Sequence, residues 1–366
     1  MTLPNKGVIV RLTELTVSIL LIFSGKEAAI MKKTTMRDIG KAVGVSAVTV
    51  SKAMAGKPGM SDSMREKILL KAEEMGYDYP QTGGLRPSPH LDLGILVPEA
   101  FFGSNTFYAN VYKRLVQQLT EAGHFALLEL VEREAEETLS LPKMLNGHHL
   151  DGLIMLGQPR KEYYRLIAAQ RIPVVFLDFY DEQASADAVV GDNTYGCYRL
   201  TSHLIKNGHR KIGFVGNYRA TSSIMDRYLG YCRAMLIHDL PVREEWILMD
   251  RDLENNLLSR LPIPEELPTA FVCNCDVIAR KLMVQMAERG IRVPEDLSVT
   301  GYDDFEIESV PGPGISTFRV DMFAMVDMAV KCILERCAGT IKPFGRTVIG
   351  GQPVYRESEI PLIQMR

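Results

Sequence analysis

The sequence predicts a small all-α head, a connector, and an α/β body with two parallel sheets. Three short helix-like segments follow one another between residues 34 and 76. From residue 92 onward, β-branched apolar runs alternate with segments of helix length, which is typical of parallel sheets in α/β units. The chain of 366 residues, 46% hydrophobic and 24% charged, is long enough for one small domain and two substantial cores.

The head and the body differ in charge. The formal net charge of the chain is −3, but residues 31–86 carry 10 Lys/Arg against 6 Asp/Glu, a net charge of +4. Residues 1–30 carry 3 Lys/Arg and 2 Asp/Glu, which leaves −8 for residues 87–366. A basic head on an acidic body indicates that the head binds a polyanion, although a solvated surface of mixed charge has a similar composition.

Helix-boundary signals define three helices in the head. Thr35 with Asp38 three residues later is typical of a capped helix start, and Gly44 ends that helix. Ser46 can cap a second helix, and a third is expected over residues 61–76. The apolar positions expected to pack together are Ile39, Ala42, Val43, Val50, Ala53, Met54, Ile68, Ala72 and Met75. Three short helices with a tight glycine turn describe a helix-turn-helix unit, although any small three-helix bundle has the same spacing.

The full string of the head decides between these alternatives. "TTMRDIGKAVGVSAVTVSKAMAGKPGMSDSMREKILLKAEEMGY" resembles the LacI/GalR family of bacterial transcription regulators nearly residue for residue. The resemblance continues in "DNTYGCYRLTSHLIKNGHRKIGFVG", "DRYLGYCRAML", "PTAFVCNCDVIA", "GIRVPEDLSVTGYDDFE" and "VYRES". It implies a regulator, most often a repressor, that works as a homodimer on a near-palindromic operator in double-stranded DNA, with heads roughly 34 to 36 Å apart.

The resemblance also implies roles for residues of the head. Ala47 and Val48, directly after "GVS", lie at the base-reading end of the recognition helix and can pack on thymine methyl groups. Lys52 can reach a guanine edge or, as the alternative, only a phosphate. The positions implied to contact the DNA backbone are Thr35, Arg37, Ser46, Thr49, Ser51 and Ser61.

The connector, residues 80–91, departs from the family pattern. Members usually have a hinge helix here that places a Leu in the minor groove. In this chain Gly84 and Pro87 stand at the Ala and Leu positions of that helix, and a second proline, Pro89, follows. An extended linker is therefore the preferred interpretation, with Leu85 as a possible substitute wedge.

The body, residues 92–366, is expected to have two lobes. Strands are predicted at "LGILVP", "DGLIMLG", "PVVFLDF", "KIGFVGN", "TAFVCNC" and "LSVTGYDD". The resemblance implies a periplasmic-binding-protein-like architecture: two Rossmann-like lobes, three crossovers, and a cleft for a small-molecule effector of the sugar class. The expected lobes are residues 92–190 with 318–345, and residues 191–317 with 346–366.

The resemblance and the strand ends together indicate effector-binding residues. Arg227 matches the family's effector-binding arginine, whose fork can hold two hydroxyls or a carboxylate, and Asp303 matches an acid that accepts hydrogen bonds from sugar hydroxyls. Phe107 and Tyr108 follow the first strand and can supply a stacking face, or simply begin an apolar helix. A lobe-bridging structural role is the alternative for both charged residues.

Further candidates lie near the crossing between the lobes and at two departures from the family. Asp192 and Asn193 can act as ligands or as a hinge. Cys275 stands where members often have Asn, and Arg251 stands where an aromatic residue often stacks. An arginine at that position can stack on a sugar or pair with an acidic one.

Other classes of protein are not indicated. The sequence lacks GxSxG, HExxH, a Walker A loop and a strand-linked GxGxxG, and the six cysteines lack CxxC spacing, so no enzyme, metal or cofactor is expected. Reduced thiols fit a cytoplasmic protein. Residues 1–30 contain a short apolar stretch, "VSILLIF", and are interpreted as an upstream-start extension outside the fold. An exported sugar-binding protein is the alternative function, and no membrane partner is expected.

Overall fold

The computed structural model describes residues 34–54, 60–75, 77, 90–102, 107–146, 150–252, 256–305 and 312–364. They belong to two compact units, one within residues 1–87 and the other within 88–366. The expectations for residues 1–30 and for the connector up to residue 89, including Leu85, lie outside the described residues.

The head consists of three helices, α1 (Met36–Val43), α2 (Ala47–Met54) and α3 (Asp62–Glu74). Its core confirms most of the predicted positions: the buried residues include Ile39, Val50, Ala53, Ile68 and Ala72. Ala42 was expected in this core but is exposed. Gly40 is buried instead. The turn packs directly on this glycine, since an added Cβ there would lie 2.6 Å from the carbonyl oxygen of Val45.

Local hydrogen bonds set the ends of these helices as predicted. The Thr35 hydroxyl accepts from the Asp38 amide at 3.4 Å, and the Asp38 carboxylate accepts from the Thr35 amide at 2.9 Å, which is a complete capping box. Gly44 ends α1 in the left-handed conformation, with φ 81°. Ser46 accepts from the Thr49 amide at 3.1 Å and so caps α2. Gly44 at the end of α1 and Ser46 at the start of α2 therefore fix the position of the turn between these helices.

The body contains the remaining strands and helices of the described residues. In chain order the strands are β1 (Asp92–Pro98), β2 (Phe125–Val131), β3 (Gly152–Leu156), β4 (Val174–Leu177), β5 (Asp187–Gly191), β6 (Ile212–Val215), β7 (Ile247–Leu248), β8 (Ala270–Cys273), β9 (Ser298–Thr300), β10 (Thr317–Val320), β11 (Arg346–Ile349) and β12 (Gly351–Val354). The helices are α4 (Phe107–Glu121), α5 (Arg133–Thr138), α6 (Lys161–Ala168), α7 (Asn193–Lys206), α8 (Ser222–Ile237), α9 (Asp276–Glu288) and α10 (Met322–Cys337).

These elements form two lobes, each built on a parallel sheet. The first sheet has the order β11-β5-β4-β3-β1-β2, and α4 and α10 cover one of its faces with buried apolar side chains. The second has the order β7-β6-β8-β9, with α7, α8 and α9 packed against it. The antiparallel pair β10-β12 forms a separate two-stranded sheet. The predicted fold class, an α-helical head and a two-lobe α/β body, is confirmed.

One predicted lobe boundary is wrong. Residues 346–366 were expected in the second lobe, but β11 pairs in parallel with β5, Arg346 opposite Ala188, and so completes the first sheet. Only the residues after it return to the second lobe, where the Ser358 hydroxyl donates to the carbonyl of Val299 at 2.6 Å. The reason is that β5 offers an unpaired edge at the side of the sheet where the chain crosses back.

In the part of the chain that the structure describes, no helix is both long and apolar enough to cross a membrane.

Candidate functional site

The surface of α2 presents the residues predicted to read bases. The Val48 side chain is 66% exposed, Lys52 is also exposed, and Ala47 is half-buried at the first turn. An apolar side chain as exposed as Val48 contributes nothing to the head's core, whereas Val50 and Ala53 on the opposite face are buried. This division leaves an apolar-plus-basic face on α2 available to a partner.

The residues predicted to contact the DNA backbone lie around the helix starts. Thr35, Arg37, Ser46 and Ser61 are exposed, while Thr49 and Ser51 are half-buried. Three of them also make capping contacts, since the Ser61 hydroxyl accepts from the Met64 amide at 3.4 Å in the way that Thr35 and Ser46 cap α1 and α2. Helix N-termini carry partial positive charge and free amides, which suit phosphate oxygens. The assignment of these residues to DNA stays a prediction.

A cavity of about 370 Å³ lies between the two lobes of the body, and we call it the inner chamber. Its walls come from the loops and helix starts that follow β1, β4, β8 and β9, where ligands bind in α/β folds of this kind. Six of the predicted effector residues line it: Phe107, Tyr108, Arg227, Arg251, Cys275 and Asp303. The sequence interpretation therefore identified residues that are far apart in the chain but share one cavity.

Arg227, on α8, lines the inner chamber and is held in place by contacts with several neighbouring groups. Its Nη2 lies 2.9 Å from Oδ1 of Asp303, and its Nη1 donates to the carbonyl of Asn274 at 2.6 Å. The guanidinium also lies 4.0 Å from the centre of the Tyr302 ring. Burial alone would lower the pKa of Arg227, but the nearby negative charge of Asp303 raises it, so the group is always cationic.

Asp178, which directly follows β4, is a residue of the inner chamber that the sequence interpretation missed. It is buried and accepts a hydrogen bond from the Tyr108 hydroxyl at 2.7 Å. Burial raises the pKa of Asp178 to about 6, against the lowering effects of Arg227 and of the Tyr108 hydrogen bond. The strand "PVVFLDF" was recognised, so an acid at its carboxyl end was the available signal.

Arg251 lines the inner chamber but is already paired. Its Nη2 lies 2.9 Å from Oδ2 of Asp250, a fully buried carboxylate. Asp250 also accepts from the Asn217 amide at 2.7 Å and from Nδ2 of Asn274 at 2.8 Å. This network fixes the guanidinium of Arg251 against the wall and offsets its charge within the protein.

Two predicted residues, Asp192 and Asn193, do not line the inner chamber. Asp192 caps α7 by accepting from the Tyr195 amide at 3.2 Å. Asn193 is buried, and its Oδ1 accepts from Nε of Arg227 at 2.8 Å. Asn193 therefore orients the arginine from behind, and the crossing between the lobes is built around both residues.

Cys275 contributes a thiol to the wall of the inner chamber. Burial raises its pKa to about 12, so the thiol stays protonated and unreactive. All six cysteines are free. Among the described residues no group of three or more His, Cys, Asp or Glu side chains is placed to hold a metal ion.

A second cavity, of about 410 Å³, adjoins the inner chamber, and we call it the outer chamber. Ala100, Phe101 and Asn256 line both cavities, so the two share one wall. The Phe101 ring stacks on the Tyr108 ring with centroids 5.3 Å apart, which places an aromatic face where the chambers meet.

Hydrogen bonds close the lobes onto each other beside these chambers. Oε1 of Gln158, in the first lobe, accepts from the Ser222 amide of the second at 2.8 Å. The hydroxyl of Tyr180 donates to Asp226 at 3.0 Å, and the Tyr180 amide donates to Ser222 at 3.2 Å. These hydrogen bonds hold the lobes together where groups from both reach the same cavity.

Two family models match separate parts of the chain. Residues 35–80 match the bacterial regulatory proteins of the lacI family, and residues 201–359 match a periplasmic binding protein-like domain. The first range contains the three head helices, and the second contains most of the second lobe.

Curated proteins and solved structures resemble the chain over most of its length. A ribose operon repressor of Haemophilus influenzae is 27% identical over 328 residues, 88% of this chain and 98% of its own. An HTH-type transcriptional repressor PurR of Glaesserella parasuis is 26% identical over 312 residues, 82% of this chain and 89% of its own. The structure of a transcriptional regulator CelR-cellobiose complex has a TM-score of 0.63 at 22% identity and covers 89% of this chain and 100% of its own.

Proposed function

Because this chain belongs to the lacI family of bacterial regulatory proteins, we propose that it is an operator-binding repressor whose affinity for DNA is set by a sugar-class effector in the inner chamber. The single observation that carries the effector role is the buried Arg227, held in place by Asn193 and Asp303 while it lines a cavity. A preorganised fork of donors next to carboxylate acceptors suits vicinal hydroxyl groups. The protein then acts in the cytoplasm, where its DNA is.

The charge balance of the inner chamber favours a neutral effector. Arg227 is paired with Asp303 and Arg251 with Asp250, so an acidic sugar would find both cations already engaged. Asp178 adds a further carboxyl group that repels anions whenever it is ionised. Donors and acceptors for hydroxyl groups remain, and the rings of Phe107 and Tyr108 can stack on the apolar face of a sugar.

The mechanism follows from the two lobes that share the site. Tyr108 and Asp178 come from the first lobe, whereas Arg227 and Asp303 come from the second. An effector that contacts all four favours the closed arrangement of the lobes. It changes operator affinity only by the difference between its affinities for the DNA-binding arrangement and the other arrangement.

We propose a homodimer as the DNA-binding species. Strand β2 lies at the edge of the first sheet and exposes Phe125 and Leu127, 61% and 41% exposed. An exposed apolar edge strand is a surface that proteins usually cover, and a second copy of the chain would cover it symmetrically. Sedimentation equilibrium of the full chain is the direct measurement, and a monomer at the concentration that saturates the operator would contradict the proposal.

The experiment that tests the proposed function is selection of bound DNA from a random pool by the full chain, at stated salt, with and without a panel of sugars. A palindromic site that one sugar releases would support both the DNA-binding and the effector assignment. A site that no sugar releases would support the assignment as a DNA-binding regulator and contradict the assignment of a sugar as its effector. Recovery of no site at all would favour the alternative of a sugar-binding protein without a DNA partner.

The roles proposed for α2 give a paired prediction. Ala47→Gln places an amide where it can reach a base edge, so we expect a changed base preference at one position of each half-site, worth about 1–3 kcal/mol. Thr49→Ala removes a hydroxyl that contacts Ser46 and that we propose contacts the DNA backbone, so we expect weaker binding to all sequences alike. Binding of a library of half-site variants separates the two effects, and the same pattern of loss for both variants would contradict the assignment.

A further inference from the structure

We propose that the effector is a neutral disaccharide or glycoside whose two units occupy the inner and outer chambers together. This inference rests on the proposed function, because it names the kind of sugar that the same cleft accepts. The observation behind it is the pair of adjoining cavities of about 370 and 410 Å³. Each is near the lower end of the range for ligand sites, about 300–1,000 Å³, and each has room for a sugar ring.

The two chambers adjoin each other. Ala100, Phe101 and Asn256 line both of them, so groups bound in the two chambers would lie next to each other. The aromatic pair Phe101 and Tyr108 lies at the junction. A glycosidic linkage, which joins two rings through one oxygen atom, would place apolar ring faces of the sugar against this pair.

The outer chamber has the chemistry of a polar but neutral subsite. Among the described residues, six charged side chains line it, three acidic and three basic: Glu99, Glu136, Asp252, Arg133, Arg160 and Arg219. Because the signs of these six balance, a phosphate or carboxylate group would find as much repulsion as attraction from them. Hydroxyl groups can both donate to carboxylates and accept from guanidinium groups, so a second uncharged sugar ring fits the lining.

The outer chamber, like the inner one, takes walls from both lobes. Gln158 and Arg160 belong to the first lobe, and Asn217 and Arg219 belong to the second. The hydrogen bond between Gln158 and the Ser222 amide lies at this boundary. A two-unit ligand would therefore connect the lobes at two places, and closure would depend on the second unit as well as the first.

Calorimetry of the full chain with neutral disaccharides and with their component monosaccharides tests this inference. The probes are maltose, cellobiose, lactose, sucrose and trehalose, with glucose, galactose and fructose. We expect one disaccharide to bind at least about tenfold more tightly than either of its component monosaccharides. Equal or tighter binding of a monosaccharide would overturn the inference.

Variants of the outer chamber localise the second unit. Ala220→Tyr fills that chamber and is expected to remove the advantage of the disaccharide while the monosaccharide affinity changes less than about twofold. Arg219→Ala, a change at an exposed side chain, should reduce disaccharide affinity about threefold or more without affecting folding. The matched control is Arg260→Ala, an exposed arginine outside both chambers. Full disaccharide affinity in both outer-chamber variants would overturn the inference.

The failure of this inference can be distinguished from the failure of the proposed function. If a monosaccharide alone releases the operator, the repressor stands and the two-unit effector is wrong. If the disaccharide binds with the expected dependence on Ala220 and Arg219 but the chain selects no operator, the inference stands and the repressor is wrong. If no sugar of the panel binds, both the sugar class and the two-unit effector are rejected.

Discussion

Replacement of Arg227 by Met is expected to abolish the response of operator binding to the effector while operator binding itself persists. The guanidinium lines the inner chamber and contacts Asp303, Asn193 and the Asn274 carbonyl, so every group around it is oriented for a cation. Loss of a desolvated, charged hydrogen-bonding group costs about 2–5 kcal/mol in binding, and we expect a loss of effector affinity of at least about thirtyfold. Operator binding titrated with effector measures this directly.

The same substitution also affects folding, so further variants are needed to separate the loss of stability from the loss of effector binding. Without Arg227 the carboxylate of Asp303 is buried with its ion-pair partner removed, which destabilises the body by about 3–5 kcal/mol. Asp303→Asn keeps the shape and removes the acid, and it should also weaken the effector response. Arg233→Met is the matched control, since Arg233 is an exposed arginine on the same helix, stacked over the Tyr198 ring. An Arg227→Met chain that releases the operator at the parent's effector concentration would reject the assignment.

Asp178→Asn is expected to stabilise the protein at neutral pH and to have no such effect in acid. Burial raises the pKa of Asp178 to about 6, against an unfolded value of about 3.9. The folded protein therefore favours the protonated acid: its contribution to stability is complete below about pH 4 and is lost as the pH rises through 6. Because Asn resembles the protonated acid, the variant should gain about 3 kcal/mol over the parent at pH 7.5.

Urea unfolding of both chains between pH 4 and pH 8 measures this difference. Asp181, three residues further on, supplies a control of opposite sign, because its hydrogen bond with Arg165 lowers its pKa to about 2. Its stabilising contribution is present above about pH 4 and is lost as the pH falls through 2, so Asp181→Asn should destabilise the protein at pH 7.5. A gain from Asp178→Asn that is the same at every pH would contradict the explanation by charge burial.

The features that sequence predicted best are those set by neighbouring residues. The caps at Thr35 and Ser46 and the left-handed Gly44 depend on side chains within three or four positions, so their residue types alone specify them. The strands that were recognised, such as "LGILVP", are buried on both faces and read as continuous apolar runs. Strand β2 was not predicted; it lies at the sheet edge, where its first four residues alternate between exposed and half-buried and only Val131 is buried.

Features that depend on distant parts of the chain were predicted less well. Asp178 enters the inner chamber because β4 ends opposite α4, and nothing in its local sequence indicates Tyr108 as its partner. Asn193 was predicted as a ligand or hinge, yet its oxygen faces Arg227, a residue of the next helix. For Arg251 the local sequence did offer the ion-pair partner, since the adjacent Asp250 is a buried acid that a neighbouring cation would neutralise.

The placement of β11 in the first sheet has a consequence for how the protein is made. The edge of β5 that β11 covers belongs to the first lobe, but the whole second sheet, β6 to β9, is translated between these two strands. During synthesis the first lobe therefore leaves the ribosome with one sheet edge open, and that edge stays open until the last strands emerge. The nascent chain is thus exposed to mispairing while residues 192–345 are translated, and slow synthesis of the second lobe would lengthen that exposure.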